Sequence, residues 1–333
     1  MTAENAADIW RIYNPAFNEI LGPKPTIGLL LQNDEIPFAH EAGVFFPDTG
    51  ELFITSNQFD DENGQKRVQI SKVLLERGNA PAISESIDCD LIHMANGGVN
   101  YDGGILFCAQ GSANRPSGLF KMQHAPPYHT EPILTDYLGR PFNSVNDVVI
   151  HPDGAIWFTD PSYGHDQGYR PKPSLPNAVY RFDPATKSVR AVADGIGRPN
   201  GICFSPDFGT VYITDTDQVR GPSTDYSRVA SIYAFEVAES HGQPFLANRR
   251  LFAMADTGIP DGIKCDTKGN VYSGCGDGIN VWSPGGVLLG KILIPGGIAN
   301  FCFGHRGEIF ALNENRLWRL QLDHHVNGAL LGI

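Results

Sequence analysis

Five oxygen-bearing side chains stand at equivalent places in a sequence pattern that repeats along the chain. Each one precedes a short apolar segment, a tight turn and a second apolar segment. They are Glu41, Asn96, Asn146, Asn200 and Asp261, with Asn300 one position out of step in a sixth copy. Asn and Asp are common in loops that lead into strands, so one such residue alone indicates little. Because several fall in register, they predict a shared site.

The repeated pattern is that of a β-hairpin, with glycine at or near most turns and apolar flanks. The copies cover residues 41–57, 96–111, 146–161, 200–216, 261–275 and 299–313. Successive copies begin roughly 40 to 60 residues apart, a period typical of a propeller or a solenoid. Further apolar segments at 178–183, 231–237 and 279–284 give each repeat room for about four strands, which is one propeller blade. We therefore predict an all-β, six-bladed β-propeller in which residues 1–333 form a single domain.

The N-terminal region adds two expectations. An apolar segment at 27–31 is predicted to complete the last blade beside residues 317–322, and a short helix is predicted around residues 6–13. Other folds agree less well with the sequence. An α/β sheet needs amphipathic helices between its strands, and a parallel β-helix needs a shorter and stricter period.

A propeller brings the five positions together, because its innermost strands line a central channel. The predicted channel site has carboxylates from Glu41 and Asp261 and amide carbonyls from Asn146 and Asn200. This oxygen-only set favours a hard cation and argues against a structural zinc site. We expect a central metal-binding channel that holds Ca²⁺, with Mg²⁺, Mn²⁺ and Zn²⁺ as alternatives.

The second strand of each hairpin returns to the face at which the first strand began. Residues at these strand ends are therefore predicted to form the walls of the channel mouth, together with the amides of the ring. The predicted substrate-binding and wall residues are Asn57, Asn96, Asn146, Tyr163, Thr216 and Asp217. The insert at 162–177 is interpreted either as a lid over the channel or as a disordered surface loop.

Composition excludes some classes of partner. A net charge of -12 argues against a nucleic-acid surface, which needs clustered Lys and Arg. No apolar run approaches the roughly 18 residues that span a bilayer, so no membrane partner is expected. The start of the chain has no apolar signal-peptide core. We expect a cytoplasmic protein, with secretion and removal of a leader as the alternative. The six cysteines are expected to be buried free thiols more often than disulfides.

Four segments of the chain resemble the SMP-30/gluconolactonase/LRE-like family, in particular the fungal lactonohydrolases and the bacterial gluconolactonases. They are EAGVFFPDTGELFIT (41–55), NDVVIHPDGAIWFTDPSYG (146–164), RPNGICFSPD (198–207) and PDGIKCD (260–266). The resemblance implies a six-bladed propeller with a divalent cation in its channel, usually Ca²⁺. It also implies hydrolysis of lactones of sugar acids and related compounds.

Carried over by position, the resemblance implies the metal ligands Glu41, Asn146, Asn200 and Asp261. Asp147 resembles a residue that helps to hold a second, structural Ca²⁺ in related propellers. Some relatives carry an arginine two positions before the residue that matches Asn146. This chain has Ser144 there, so the resemblance does not by itself imply their specificity for sugar lactones.

These observations lead to a mechanistic hypothesis. The cation polarises the carbonyl of a small lactone, such as a sugar-acid, aldonate or pantoyl lactone, and a carboxylate activates water. We favour Asp261 over Glu41 as the general base, and Asn146 both binds the metal and orients the substrate. Neither a GxSxG nor an HExxH motif is present. Two alternatives stay open: a phosphotriesterase-type hydrolase on the same metal ring, and a non-catalytic calcium-binding propeller.

Overall fold

The computed structural model describes residues 9–75 and 81–330, which fold into six antiparallel β-sheets arranged as the blades of a propeller. The first strand of each blade lies innermost and contacts the first strands of its neighbours. Each predicted hairpin repeat supplies the first two strands of one blade. The predicted all-β, six-bladed β-propeller is confirmed.

The strands of the N-terminal region and of the first three blades follow the chain order. The N-terminal region contains β1 (Trp10–Ile12), helix α1 (Phe17–Leu21) and β2 (Thr26–Gln32). The first blade contains β3 (Glu41–Phe46), β4 (Glu51–Thr55), the small hairpin β5 (Phe59–Asp60) and β6 (Lys66–Arg67), β7 (Ile70–Leu74) and β8 (Ile83–Ile87). The second contains β9 (Ala95–Tyr101), β10 (Gly104–Ala109), β11 (Gly118–Gln123) and β12 (Thr130–Leu134), followed by the hairpin β13 (Asp136–Tyr137) and β14 (Arg140–Pro141). The third contains β15 (Val148–Ile150), β16 (Ile156–Asp160), helix α2 (Tyr163–Asp166), β17 (Ala178–Asp183) and β18 (Ser188–Ala193).

The remaining three blades are built in the same way. The fourth contains β19 (Pro199–Phe204), β20 (Thr210–Asp215), the hairpin β21 (Val219–Arg220) and β22 (Ser223–Thr224), β23 (Ser231–Ser240) and β24 (Gln243–Met254). The fifth contains β25 (Ile263–Cys265), β26 (Val271–Cys275), β27 (Gly278–Trp282) and β28 (Leu288–Leu293). The sixth contains β29 (Asn300–Phe303), β30 (Glu308–Asn313) and β31 (Arg316–Gln321).

The core lies between the blades. Second strands such as β10 and β26 are buried at every position, because a neighbouring blade covers each of their faces. Six hydrophobic clusters result, each shared by two adjacent blades; Phe53 of the first blade and Phe107 of the second, for example, belong to one cluster. The outermost strands are more exposed, as in β8. The blades therefore stabilise one another through their flat faces, and the ring must close.

Two N-terminal strands complete the last two blades. β2 pairs antiparallel with β31, with Ile27 opposite Leu320, as the sequence predicts. β1 pairs with β28, with Trp10 opposite Ile292. The predicted helix at 6–13 is wrong for residues 10–12, because their main-chain groups extend the fifth sheet; residues 6–8 lie outside the described part of the chain.

The six cysteines, all within the described residues, are free thiols, and five of them are buried. The Sγ atoms of Cys203 and Cys265 lie 3.7 Å apart. Among residues 9–75 and 81–330, no helix has the length and apolar character of a transmembrane helix.

Candidate active site

The five in-register residues come together at one end of the central channel. Glu41, Asn96, Asn146, Asn200 and Asp261 all line one cavity of about 240 Å³. Glu41, Asn146 and Asn200 are at most 6 % exposed. The cavity is small, and its lining combines polar groups with apolar side chains such as Met94 and Ile259, which suits a small ligand better than a large one.

Interruptions of regular strand pairing set the directions of these side chains. The pairing of the first and second strands is interrupted at residues 42–44, 96–97 and 200–201, where the ladder contains β-bulges. Asn146 and Asp261 lie two residues before the regular pairing of β15 and β25 begins. A bulge turns a side chain out of the normal alternation of a strand. The polar residues therefore leave the sheet at the same level in successive blades.

Glycine after a polar residue lets the next blade approach closely. A Cβ atom at Gly201 would lie 2.5 Å from the main-chain oxygen of Asp261. A Cβ atom at Gly262 would lie 2.3 Å from Oδ1 of Asn300. Neither distance is compatible with a side chain, so the Asn-Gly and Asp-Gly pairs of these repeats serve the packing of adjacent blades.

Hydrogen bonds join the blades at the level of the polar residues. At three junctions, a threonine at or near the end of a second strand donates its hydroxyl to the main-chain oxygen of the polar residue in the next blade. These bonds run from Thr55 to Asn96 (3.0 Å), from Thr159 to Asn200 (2.6 Å) and from Thr214 to Asp261 (3.0 Å).

The other three junctions use different donors for the same purpose. The main-chain N–H of Gly97 donates to Asn146 O at 2.8 Å, and that of Gly262 donates to Ala299 O at 2.8 Å. Nδ2 of Asn300 donates to Oε2 of Glu41 at 2.6 Å and joins the sixth blade to the first. We call these six bonds the inter-blade ring. Sequence reasoning missed its threonines, although aligning the hairpin copies places them at equivalent strand ends.

Two buried aspartates fix the segments that lead to Asn146 and Asn200. The carboxylate of Asp160 accepts the N–H groups of residues 143–144, at 2.9 and 2.7 Å. The carboxylate of Asp215 accepts those of residues 197–198, at 2.9 and 2.8 Å. Burial raises the pKa of Asp160 to about 7 and also raises that of Asp215, while the N–H donors act in the opposite direction.

The amide side chains are linked across the cavity wall. Nδ2 of Asn146 donates to Oδ1 of Asn200 at 2.7 Å, and Nδ2 of Asn200 donates to the Tyr163 hydroxyl at 3.0 Å. Nε2 of Gln110 donates to Oδ1 of Asn146 at 3.3 Å. The Tyr163 hydroxyl also shares a hydrogen bond with the Thr216 hydroxyl. The predicted wall residues Tyr163 and Thr216 therefore lie at the cavity and hold the amides in place.

Three buried oxygen atoms of residues that line the cavity have no hydrogen-bond partner, and the two carboxylates repel each other. The unpartnered atoms are Oδ1 of Asp261, Oδ1 of Asn96 and Oε1 of Gln58. Burial, followed by the charge of Asp261, raises the pKa of Glu41 to about 8, and burial raises the pKa of Asp261 to about 6. Leaving a buried polar atom unpaired costs about 1–3 kcal/mol. A hard divalent cation would offset the negative charge of the two carboxylates, so these residues fit the predicted metal.

His40 is a site residue that sequence reasoning missed. Its Nδ1 lies 2.7 Å from Oε1 of Glu314, and Nδ2 of Asn57 donates to Oε2 of the same carboxylate at 3.1 Å. Burial alone would lower the pKa of His40, but the Glu314 carboxylate raises it to about 9. The imidazole lines the cavity with Asn57, a predicted wall residue. The only sequence signal for His40 is its position directly before Glu41.

Asp217, a predicted substrate-binding residue, forms ion pairs in this structure. Asp217 does not line the cavity. Its carboxylate oxygens pair with Arg220 at 2.5 Å and with Arg228 at 2.8 Å. Both arginines lie between β20 and β23, Arg220 in β21 and Arg228 after β22, and their charges hold the carboxylate. Thr216, one residue earlier, occupies the wall instead.

The insert at 162–177 is ordered over the cavity. Tyr163 and Gln167 line the cavity wall, and the hydroxyl of Tyr169 donates to Oε1 of Gln110. The guanidinium of Arg170 donates to main-chain oxygens of the neighbouring loops, among them Asn143 O at 2.9 Å. The interpretation as a disordered loop is wrong, since these bonds fasten the insert to the second and third blades.

Asp147, beside the ring, has partners supplied by the protein itself. Its carboxylate accepts the N–H groups of Val148 and Ile202 at 2.9 and 3.1 Å. Nζ of Lys264 lies 4.0 Å from the same carboxylate. The positive charge that faces Asp147 is therefore a lysine.

Comparisons with known proteins agree with this geometry. The model of the family described as "SMP-30/Gluconolactonase/LRE-like region" matches residues 94–309. The lactonohydrolase OryL of Aspergillus oryzae is 30 % identical over 330 residues, which are 92 % of this chain and 72 % of OryL. The structure of a gluconolactonase from Xanthomonas campestris superposes with a TM-score of 0.74 at 26 % identity and covers 95 % of both chains. Regucalcin from Agrobacterium tumefaciens shares the fold, with a TM-score of 0.66 at 18 % identity over 91 % of this chain and 95 % of its own.

The inter-blade ring leads to a first prediction. In Thr214→Val, Asp261 O and the N–H of Gly201 both lose their hydroxyl partner. We expect the free energy of unfolding to fall by about 2–4 kcal/mol and Ca²⁺ affinity to fall several-fold. Thr214→Ser keeps the hydroxyl and is the matched control, with an expected loss of about 1 kcal/mol for one methyl group. Urea unfolding and calorimetric titration with Ca²⁺ measure both effects. Equal losses in the two variants would contradict a role for the hydroxyl.

The raised pKa values of Glu41 and Asp261 lead to a second prediction, for protein kept in a chelator. The unfolded carboxyls titrate near 4.5 and 3.8, and the folded ones near about 8 and about 6. Between about pH 4 and 8 the unfolded state therefore binds fewer protons than the folded state, so the free energy of unfolding falls as pH rises. The melting temperature should drop over this range.

Saturating Ca²⁺ should restore about 3–4 kcal/mol at pH 8, for a ligand at 100 to 1,000 times its Kd. Glu41→Gln is the control, because it removes one of the titrating groups and should flatten the pH dependence. A melting temperature that is unchanged by Ca²⁺ at both pH 5 and pH 8 would exclude this site as a cation site.

Proposed function

This chain belongs to the SMP-30/gluconolactonase/LRE-like family, and from that membership we propose that it is a divalent-cation-dependent lactonase that acts on a small lactone. Two of its relatives are named as a lactonohydrolase and a gluconolactonase. The observation that carries the proposal is the cavity of about 240 Å³, whose lining includes the carboxylates of Glu41 and Asp261 and three buried oxygen atoms without a hydrogen-bond partner, one of them on Asp261.

The residues that would hold the cation are Glu41, Asn146, Asn200 and Asp261. All four offer oxygen atoms, as Ca²⁺ prefers, and two are carboxylates that balance its charge. The Agrobacterium regucalcin, which shares the fold, is described as a calcium-binding protein. When bound, the cation supplies a Lewis acid for the lactone carbonyl and for the oxyanion that develops from it.

Asp261 is the group proposed to move the proton. Its Oδ1 has no hydrogen-bond partner. This atom takes a proton from water while the water oxygen bonds to the carbonyl carbon. The ring C–O bond then breaks, and the departing ring oxygen receives the proton held on Asp261. Oε2 of Glu41 already accepts a hydrogen bond from Asn300, so Glu41 is better suited to binding the cation.

The remaining wall residues are proposed to orient the lactone. Oδ1 of Asn96 is free to accept a substrate hydroxyl. Asn57 and Tyr163 offer further polar groups at the mouth, and Asn146 combines metal binding with orientation. His40, held by Glu314, places a positive charge beside Asp261 and Glu41. The size of the cavity favours a single small ring at the reaction centre.

A lactone panel tests the proposed function. Glucono-, galactono-, pantoyl and acyl-homoserine lactones are incubated with the protein, and acid release is followed in a pH-stat. We expect turnover of at least one lactone, its loss in EDTA and its recovery with Ca²⁺. Turnover that resists the chelator would contradict the metal dependence. Hydrolysis of paraoxon without any lactone turnover would favour the phosphotriesterase alternative.

Two carboxylate variants complete the same experiment. Asp261→Asn should lower kcat by about 10²- to 10⁴-fold, the usual contribution of a general base, while calorimetry still detects Ca²⁺ binding. Asp217→Asn removes a carboxylate on the adjacent blade that does not line the cavity, and it should keep its activity. Full activity of Asp261→Asn would show that another group takes the proton.

A further inference from the structure

A single chain of hydrogen bonds links the insert over the cavity to two of the residues that would hold the cation. The Tyr169 hydroxyl donates to Oε1 of Gln110, and Nε2 of Gln110 donates to Oδ1 of Asn146 at 3.3 Å. Nδ2 of Asn146 donates to Oδ1 of Asn200 at 2.7 Å, and Nδ2 of Asn200 donates to the Tyr163 hydroxyl at 3.0 Å. We call these five residues the amide chain. Both of its ends are tyrosines of the insert.

All bonds of the amide chain run in the same direction. Each amide accepts a hydrogen bond at its oxygen atom and donates the next one from its nitrogen atom. The Tyr163 oxygen accepts from an amide nitrogen, so its own proton goes to the Thr216 hydroxyl. That hydroxyl donates to the main-chain oxygen of Arg198 at 3.5 Å. A main-chain oxygen can only accept, so this last bond favours the same direction along the whole chain.

The direction of the chain decides which atom of each asparagine is available to a cation. An amide oxygen has two lone pairs, so Oδ1 of Asn146 and Oδ1 of Asn200 each accept one bond of the chain and keep one lone pair. The amide nitrogen is a donor and offers a cation no lone pair. A half-turn of either amide would therefore exchange a ligand atom for an N–H group. The hydroxyls at the two ends of the chain oppose this half-turn.

Two arginines hold the insert where the amide chain requires it. The guanidinium of Arg170, within the insert, donates to main-chain oxygens of the loops beside the second and third blades. Arg198, which directly precedes the fourth blade, is buried. It pairs with Asp166 of the insert, and its Nη1 donates to Oγ of Ser162 at 2.7 Å. The insert is thus fastened on both sides of the third blade, with one tyrosine at each end of the chain.

We propose that Tyr163 and Tyr169 are positioning residues of the cation site, and that the insert and the cation are therefore coupled. The insert strengthens cation binding by holding the amide oxygens of Asn146 and Asn200, and a bound cation holds the insert in place. The two effects are equal in free energy, because coupling between two sites is reciprocal. This inference rests on the proposed function, since it needs the cation at these amides, and it extends that function to the control of the site by the insert.

Calorimetric titration with Ca²⁺ tests the two tyrosines without any substrate. Tyr169→Phe is the more informative variant, since Tyr169 lies outside the lining of the cavity. We expect Tyr169→Phe and Tyr163→Phe each to raise the Kd for Ca²⁺ by about threefold to tenfold, the usual effect of one lost hydrogen bond. Both variants keep the aromatic ring, so the packing of the insert is preserved.

Tyr272→Phe is the matched control. The hydroxyl of Tyr272 is also buried, and it donates to Oδ2 of Asp266 at 3.1 Å, at the opposite end of β25 from Asp261. This variant should lower the melting temperature and leave the Kd for Ca²⁺ within twofold of the original. An unchanged Kd in Tyr169→Phe, or an equal rise of the Kd in Tyr272→Phe, would overturn the inference.

Hydrogen exchange of the unaltered protein measures the reverse effect and needs no variant. The N–H groups of Tyr169 and Arg170 donate to Gly164 O at 3.0 and 2.9 Å, within the insert. Saturating Ca²⁺ should slow the exchange of these two amides by about fivefold or more. The slowing should disappear in the variant that carries both Tyr163→Phe and Tyr169→Phe. Exchange at the same rate with and without Ca²⁺ in the unaltered protein would contradict the coupling.

These measurements separate the inference from the proposed lactonase activity. Ca²⁺ binding that weakens in Tyr169→Phe but not in Tyr272→Phe supports the inference even if no lactone is hydrolysed, an outcome that would refute only the proposed activity. Lactone turnover that depends on Ca²⁺, with an unchanged Kd in both tyrosine variants of the chain, would overturn the inference and leave the activity standing. A failure of the unaltered protein to bind Ca²⁺ would overturn the inference and the proposed metal dependence together.

Discussion

The inter-blade ring is the constraint on which the rest of this structure depends. A propeller is closed by contacts between flat apolar faces, which resist separation of the blades but do little to fix their positions near the axis. The six hydrogen bonds of the inter-blade ring fix the positions of the blades there, and each contributes only about 1 kcal/mol. Several end on the polar residues themselves: the main-chain oxygens of Asn96, Asn200 and Asp261 are acceptors. The bonds that hold the blades in register therefore also place the oxygen atoms of the site.

In this arrangement, the carboxylates of Glu41 and Asp261 are buried close together and repel each other. Burial raises the pKa values of Glu41 and Asp261, and the charge of Asp261 raises that of Glu41 further. The His40–Glu314 pair offsets part of the negative charge, since the pKa of His40 is raised to about 9. The proposed divalent cation would offset the rest. Burial, which stabilises the fold elsewhere, here prepares a group of oxygens to bind a cation.

The fold and the five ring positions were predictable because hairpins at a constant period must form blades and equivalent positions must converge. The location of Asp217 was not predictable, because Thr216 and Asp217 are neighbours in sequence. Contacts with Arg220 and Arg228, further along the chain, decide which of the two residues faces the cavity. The threonines of the inter-blade ring give no local signal, because threonine is favoured in the strands of any sheet. Strand β1 was mistaken for a helix because its pairing with β28 is a tertiary contact that local sequence does not encode.

The central claim is that the inter-blade ring assembles one oxygen site for a divalent cation at the channel axis. A crystal structure of the protein with Mn²⁺ or Ca²⁺, with the metal located by anomalous scattering, tests it most directly. The predicted result is a cation within about 2.3–2.6 Å of oxygen atoms from Glu41, Asn146, Asn200 and Asp261 if it is Ca²⁺, with the six inter-blade bonds intact. No anomalous peak at the axis, or a cation bound only elsewhere on the protein, would contradict the account.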